Sequence, residues 1–186
     1  MSGVRLELTP HSDTPSRVVE SLEVGIVRET SGLSLAYIVR GNVAALRIAE
    51  PVSPQRRDGL WQRTCFEIFL RPPTGESYCE FNLSPSTEWS AYRLEGYRAG
   101  MHNLAVEADP EIMVEDDRRH LQLVASLDLA GVDLLEPDGA WRVGLSAVIV
   151  EKDGTKTYWA LAHPPGVPDF HHPDCFALEL PAAKPA

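Results

Sequence analysis

The sequence predicts an all-β fold: a two-sheet antiparallel β-sandwich of the immunoglobulin-like or jelly-roll type, with roughly ten to twelve short strands and minimal helix. Two observations lead to this prediction. Apolar residues recur at every second position through most of the chain, which is typical of strands with one buried face. Turn-forming pairs such as Gly41-Asn42, Asp138-Gly139 and Asp153-Gly154 separate these runs.

Five stretches show the alternation most clearly. Neighbouring side chains of a strand point to opposite faces, so residues two apart share a face. In chain order the apolar sets are Leu33/Leu35/Tyr37/Val39, Phe66/Ile68/Leu70, Cys79/Phe81/Leu83, Leu121/Leu123/Ala125/Leu127 and Val143/Leu145/Ala147/Ile149. Residues 129–135 are the best helical candidate, and Pro137 limits any helix there to a turn or two. Helix is therefore expected to be minor.

Composition predicts one globular domain. The chain has 186 residues, 44% hydrophobic and 24% charged, which are ordinary globular values. We expect a single domain over residues 1–186, with its core at about residues 17–180. The formal net charge of −10 repels phosphate backbones and anionic lipids, so neither a nucleic acid nor a membrane is expected as a partner.

The cysteines and the first residues predict a cytoplasmic protein. No stretch near the start has the apolar centre of a signal peptide, and no apolar run approaches the ~20 residues of a membrane-spanning helix. The three cysteines, Cys65, Cys79 and Cys175, are an odd number and include no CxxC pair, which favours reduced thiols. Cys65 and Cys79 are expected to be small core residues, and their spacing leaves open whether they could pair.

Several segments between about residues 55 and 180 resemble one known family. They are LWQRTCFEIFL at 60–70, YCEFNLSP at 78–85, WSAY at 89–92, Trp141 followed by GLSAVI at 144–149, YWALAH at 158–163, PDFHHP at 168–173, and Phe176. In order and spacing they resemble the DOMON-like domains, bacterial relatives of family 9 carbohydrate-binding modules. The resemblance implies a sandwich of two antiparallel sheets and a ligand-binding module, with sugar or haem as the ligand in related groups.

The same segments supply candidate ligand-binding residues. Aromatic faces pack against the C–H side of a sugar ring, and polar groups bind its hydroxyls. Trp61 and Glu67, six residues apart, resemble the family's stacking tryptophan and its hydroxyl-binding carboxylate. Glu80 and Asn82 are two residues apart, so they point to one side of their strand. If the two strands pair, three polar groups gather on one face, as a polar cleft or as a solvated surface.

The other three tryptophans have two expected roles, ligand contact and packing. Trp159 is the nearest match to the family's second stacking tryptophan, which lies late in the chain. Trp89 and Trp141 are expected to pack in the core or at its edge, whereas Trp61 is the expected surface aromatic.

Two alternatives to a sugar cleft stay open. Glu67 and Glu80 could lie on a solvated face, or form ion pairs with Arg63 and Arg93. His171 lies next to His172 and eight residues after His163, and histidine is the commonest metal ligand, so a haem or metal site is an alternative. Adjacent residues of an extended chain face opposite ways, so only one of the pair could readily join such a site. His171 is therefore included among the candidate ligand contacts.

These observations predict a non-catalytic module that binds a small sugar-like molecule and needs no cofactor. The sequence contains no GxSxG, P-loop, HExxH or GxGxxG motif, and the resembling family binds sugars without cleaving them. The alternatives are a haem- or metal-binding domain and a structural or interaction domain without a ligand. A protein partner and the oligomeric state cannot be derived from the residues.

Overall fold

The computed structural model describes residues 3–183, and twelve β-strands account for most of its regular structure. Three short 3-10 helices, at Val43–Ala45, Leu60–Gln62 and Pro173–Cys175, are the only helices in that range. The strands are β1 (Val4–Pro10), β2 (Val19–Arg28), β3 (Gly32–Gly41), β4 (Cys65–Arg71), β5 (Tyr78–Leu83), β6 (Trp89–Leu94), β7 (His102–Asn103), β8 (Glu111–Asp116), β9 (His120–Asp128), β10 (Trp141–Val150), β11 (Lys156–Ala160) and β12 (Leu178–Leu180). The predicted all-β content and number of strands are confirmed.

The strands form one continuous, curled antiparallel path in the order β7-β6-β5-β4-β10-β11-β1-β2-β3-β9-β8, with β12 beside β10. Strand β1 joins the two parts of this path: Val4 to Leu8 pair with β2, and Thr9 and Pro10 pair with β11. We call β7-β6-β5-β4-β10-β11 with β12 the β4 half, and β1-β2-β3-β9-β8 the β3 half. Where two separate sheets were predicted, the hydrogen bonding thus runs through β1 from one half to the other.

The main hydrophobic core lies between the two halves. Every second residue of β2, β3 and β9 is buried, as the alternation predicts. The Tyr37 ring on β3 lies 4.9 Å from the Phe66 ring on β4. The Tyr37 hydroxyl also donates a 2.8 Å hydrogen bond to the carbonyl oxygen of Glu67. These contacts hold the inner faces of the two halves together.

The ordered structure begins before residue 17, where the core was expected to start. Strand β1 is central to the path, and Leu8 is 1% exposed. His11, in a segment that looks like a tail in the sequence, is also buried, and its backbone N–H donates to the Tyr158 carbonyl. Residues 129–135 form successive turns, with backbone bonds from Val132 to Leu129 and from Leu135 to Val132.

Strands β4 and β5, in the β4 half, are buried on both faces. Phe66, Ile68 and Leu70 face the core, while Cys65, Glu67 and Phe69 point the other way. All six are at most 3% exposed. Loops that follow β6 and β11 cover this second face, which we call the outer face. Because these loops cover the outer face, its side chains form a second interior that is separate from the main core.

Cys65 and Cys79 lie on opposite faces of paired strands, Cys65 on the outer face and Cys79 towards the core. A disulfide requires Cβ atoms about 4 Å apart, so these two cysteines cannot pair in this fold. All three cysteines are buried free thiols.

Three of the four tryptophans have the exposure that was expected of them. Trp89 and Trp141 are each 2% exposed, whereas Trp61 is 39% exposed. Within residues 3–183, no helix combines the length and the apolar character needed to cross a membrane.

Candidate functional site

A cavity of about 420 Å³ lies between the outer face of the β4 half and the loops that cover it. This volume falls in the range of ~300–1,000 Å³ that is usual for small-molecule sites. Its walls combine aromatic, aliphatic and ionisable side chains. They are Trp61, Gln62, Glu67, Glu80, Leu94, Arg98, Met101, Val148, Lys156, Tyr158, Pro168, Phe170 and His171.

The floor of the cavity is built by strand register. Glu67 on β4 lies directly opposite Asn82 on β5, and Glu80 lies two residues before Asn82 on the same face. The structure thus brings together the three polar residues that the sequence singled out. Glu67 and Glu80 line the cavity, whereas Asn82 is 0% exposed and supports Glu80 from behind.

Neither carboxyl group of the floor forms an ion pair within the described part of the chain. Arg93, considered above as a partner, instead pairs with Glu95 and Asp133. The Asn82 side-chain amide donates a 2.7 Å hydrogen bond to Glu80 Oε1. Glu67 and Glu80 are therefore neither a solvated surface, at 3% and 4% exposure, nor members of a salt bridge.

Burial determines the protonation of this pair. It raises the pKa of Glu67 well above the ordinary value, the charge of Glu80 raises it further, and a hydrogen bond from Ser146 offsets only part of the increase. Burial also raises the pKa of Glu80, although the hydrogen bond from Asn82 and the charge of Arg98 oppose that effect. Two carboxylates this close cannot readily both ionise without a cation, so the pair holds on to a proton more strongly than ordinary carboxyls do.

Unsatisfied hydrogen-bonding atoms cluster on the same face. Glu67 Oε1, Ser146 Oγ and Ser90 Oγ are buried without a hydrogen bond of normal length in the described residues. Ser146 nevertheless lies near enough to Glu67 to lower the pKa of its carboxyl, and Ser90 near enough to Tyr92 to lower the pKa of its hydroxyl. Ser146 lies opposite Glu67 across β10 and β4, and Ser90 lies opposite Asn82 across β5 and β6. A buried polar atom without a partner costs about 1–3 kcal/mol. This face therefore holds polar atoms whose hydrogen-bonding capacity is not fully used.

Glu67→Gln is expected to stabilise the free protein, by about 1–3 kcal/mol at neutral pH, because it removes a buried ionisable group that lacks a counter-charge. A carboxyl whose pKa is raised on folding binds more protons in the folded state. Its contribution to the free energy of unfolding therefore falls as the pH rises above the ordinary pKa of ~4.3. Urea unfolding of wild type and Glu67→Gln between about pH 5 and 8 measures this. The stability gain should grow with pH, and a gain that does not change with pH would contradict the assignment.

Trp61 stands at the mouth of the cavity because of a local turn. Gly59 adopts φ +77°, a left-handed conformation that favours glycine, and it begins the 3-10 helix Leu60–Gln62. Leu60 is 2% exposed and anchors this turn, while the next side chain projects outwards. The Trp61 ring meets the Tyr92 ring edge-on at 6.0 Å. Part of the indole remains open to the cavity.

Two loops form the roof, and Tyr78 links them. The Tyr78 hydroxyl forms a 2.8 Å hydrogen bond with His171 Nδ1 and accepts one from the backbone N–H of Arg98. Burial, with the charge of Arg98, lowers the pKa of His171 to about 4. His171 is therefore neutral at pH 7, and its Nδ1 can accept a hydrogen bond from the Tyr78 hydroxyl.

An ion pair also holds the same two loops together. Arg98 contacts Asp169 Oδ1 through both Nη2, at 2.7 Å, and Nε, at 3.2 Å, and Tyr97 donates its hydroxyl to Asp169 Oδ2. Burial alone would raise the pKa of Asp169, but the hydrogen bonds from Tyr97 and Arg98 outweigh it and lower the pKa. Asp169 is thus an anion that neutralises Arg98 at the rim of the cavity.

Trp159, the proposed second stacking residue, lies outside the cavity. It is 3% exposed, packs in the core between the halves, and donates Nε1–H to Thr157 Oγ1 at 2.9 Å. Its neighbour Tyr158 reaches the cavity instead, because adjacent strand residues face opposite sides. Tyr158 lies opposite Val148 of β10, another cavity residue. Because of this alternation, the aromatic side chain that β11 contributes to the cavity wall is Tyr158 and not Trp159.

Sequence reasoning also missed Arg98 and Phe170. Arg98 lies in a loop with φ +52°, and no periodic pattern identifies a loop side chain. Phe170 precedes His171 in the loop after β11, and its aromatic character was the available signal. Tyr158 was also missed, because its position beside Val148 depends on the register of β10 and β11.

The histidines are held by local hydrogen bonds. His172 Nδ1 accepts the backbone N–H of Asp174 and caps the 3-10 helix Pro173–Cys175. His163 Nε2 bonds to the Thr9 carbonyl. Within residues 3–183, no group of three or more His, Cys, Asp or Glu side chains could hold a metal ion.

No protein-family model matches this chain, and no curated protein matches it. Three solved structures share its fold. A Bacteroides uniformis protein provisionally described as carbohydrate-binding aligns with a TM-score of 0.65 at 12% identity, over 93% of this chain and 83% of its own. A family 9 carbohydrate-binding module from Caldicellulosiruptor kristjanssonii, in complex with glucose, gives 0.57 at 11% identity, over 93% and 81%. A family 9 module from the same organism with cellotriose gives 0.51 at 12% identity, over 87% and 75%.

Proposed function

We propose that this protein binds a carbohydrate or sugar-like metabolite in the cavity of the β4 half and does not transform it. The observation that carries the proposal is the combination of Trp61, 39% exposed at the mouth, with the carboxyl side chains of Glu67 and Glu80, which line the floor and form no ion pair in the described residues. A sugar ring presents an apolar C–H side to an aromatic face and hydroxyls to polar groups. The cavity offers both kinds of surface at its two ends.

The comparison structures support the same class of ligand, since two of them contain glucose or cellotriose. We also propose that the chain is related to the DOMON-like domains and that its two halves correspond to the two sheets of their sandwich. The core that the halves share, with Tyr37 against Phe66, supports this correspondence.

The polar floor suits hydroxyl recognition. A carboxyl with a raised pKa can donate one hydrogen bond and accept others, and a hydroxyl can reciprocate both. Glu80 is held in place by Asn82, so it is pre-oriented before a ligand arrives. Fixed hydrogen-bonding groups of this kind reduce the ordering cost of binding.

Trp61→Ala is expected to weaken sugar binding at least tenfold, because it removes the aromatic surface at the mouth. The measurement is thermal shift over a panel of mono- and oligosaccharides that includes glucose and cellotriose, followed by calorimetry. A ligand at 100 times its Kd adds about 2.7 kcal/mol of stability, which gives a clear shift. The bound sugar should be recovered chemically unchanged.

Two variants control this experiment. Trp61→Phe keeps a ring and should retain intermediate affinity, and Met113→Ala, which truncates a 67% exposed residue on β8, should bind like wild type. If no sugar of the panel shifts the melting temperature, or if Trp61→Ala binds normally, the proposal is wrong.

A further inference from the structure

We infer that the natural ligand carries a protonated amine beside its hydroxyl groups, as an amino sugar does, and that the amine binds against Glu67 and Glu80. This inference rests on the proposed function and names the class of ligand within it. Two properties of Glu67 and Glu80 lead to it: both side chains are acidic, and neither forms an ion pair.

The floor holds two carboxyl groups and no cation. Glu67 and Glu80 lie on adjacent strands, both line the cavity, and neither forms an ion pair in the described residues. Charged residues are seldom buried without a partner. The missing counter-charge is therefore a property of this site that a bound ligand can supply.

The cations at the rim do not fill that role. Arg98 makes its contacts with Asp169, at 2.7 Å and 3.2 Å. Lys156 lies at the solvent-exposed start of β11. It pairs in register with Val150, whereas Glu67 lies opposite Ser146. Along β10, the residue that pairs with Lys156 is thus four positions from the residue that pairs with Glu67. The charge of Arg98 favours the ionised form of Glu80, but Arg98 is paired with Asp169 and forms no ion pair with either floor carboxyl.

A second buried carboxyl in the same chain shows the usual arrangement. Glu88 is 2% exposed, yet it accepts hydrogen bonds from Arg57 at 2.9 Å, Ser86 at 2.8 Å and Gln55 at 3.3 Å. Glu67, which is equally inaccessible to solvent but lies deeper in the protein, has Ser146 beside it and no cationic partner. The fold therefore supplies a counter-charge to Glu88 and none to the cavity carboxyl.

An ammonium group matches this floor better than a hydroxyl does. It provides three N–H donors and a positive charge, and hydrogen bonds to a charged group are about twice as strong as neutral ones. When it binds, the proton that the carboxyl pair retains is released to solvent, so that both carboxylates face the ammonium. Affinity for the amine should therefore increase with pH until the amine itself loses its proton.

The test is calorimetry with matched probes: D-glucose, D-glucosamine and N-acetyl-D-glucosamine, and the corresponding galactose series. The N-acetyl sugar keeps a nitrogen at the same position without its charge. Titrations below the pKa of the amine, in two buffers of different ionisation enthalpy, also give the number of protons released. We expect an amino sugar to bind at least tenfold more tightly than its two neutral counterparts, with release of about one proton.

Glu67→Gln should reduce that preference to about threefold or less and abolish the proton release, while the neutral sugars still bind. The matched control is Glu111→Gln, the same chemical change at an exposed position of β8, and it should behave like wild type. Equal affinities for amino and neutral sugars would overturn the inference and leave the proposed function standing. The inference also fails if the preference survives in Glu67→Gln. If no sugar of either series binds, the proposed function fails with it.

Discussion

Replacing Trp159 by alanine is expected to lower the free energy of unfolding by about 3–5 kcal/mol, the usual range for a buried tryptophan. Trp159 is 3% exposed and packs in the core between the two halves. It also lies on β11 next to β1, where the hydrogen-bonded path passes from one half to the other. Removing its side chain leaves a cavity at that junction. Because small domains are stable by only about 5–15 kcal/mol, the loss would be easy to see in urea unfolding.

The matched control is Trp61→Ala, which removes the same side chain from a position that is 39% exposed. Its effect on stability should be about 1 kcal/mol or less, because exposed side chains contribute little to the fold. The two variants should thus separate stability from binding: Trp159→Ala changes unfolding, and Trp61→Ala changes affinity. Equal stability losses in the two variants would contradict this assignment of the tryptophans.

Asn82→Asp is expected to destabilise the protein by about 3–5 kcal/mol at neutral pH, the range for an uncompensated buried charge. The substitution hardly changes the shape of the side chain. It removes the amide that donates to Glu80 Oε1 at 2.7 Å and puts a third carboxyl beside Glu67 and Glu80. Asn82 is 0% exposed, so water cannot screen the added charge.

The destabilisation by Asn82→Asp should decrease as the pH is lowered from neutral towards about 5. A carboxyl with a raised pKa binds a proton more readily in the folded state, so folding is favoured at lower pH. A protonated aspartic acid can also donate to Glu80 again. Asn103→Asp, the same change at an exposed position of β7, is the control and should remain close to wild type throughout. A loss in Asn82→Asp that is independent of pH would show that shape, and not charge, is responsible.

These expectations describe a cavity that is kept at some cost to stability. Glu67, Glu80 and Ser146 would be more favourable as apolar residues in an unoccupied interior. The gain expected for Glu67→Gln, together with its loss of amine preference, is the trade between stability and function that binding sites commonly show.

The sequence by itself determined the fold class and part of the floor of the site. A period of two gives alternate residues to opposite faces, so the alternation and the turn signals between the runs predicted an all-β protein of roughly ten to twelve strands. The same rule put Glu80 and Asn82 on one side of a strand. Trp61 follows Gly59 in a turn, and that local signal was enough to predict an exposed aromatic.

Only the tertiary structure decided which strands pair and which faces become interior. Strand β4 lies beside β10, more than 70 residues away along the chain, and that register places Ser146 opposite Glu67 and Val148 at the cavity. Register also turned Trp159 into the core and Tyr158 towards the cavity. Loop residues such as Arg98 close the roof, and β1 joins the halves. Local alternation defines two faces of each strand, but long-range packing determines what each face meets, because a shift of one residue would exchange them.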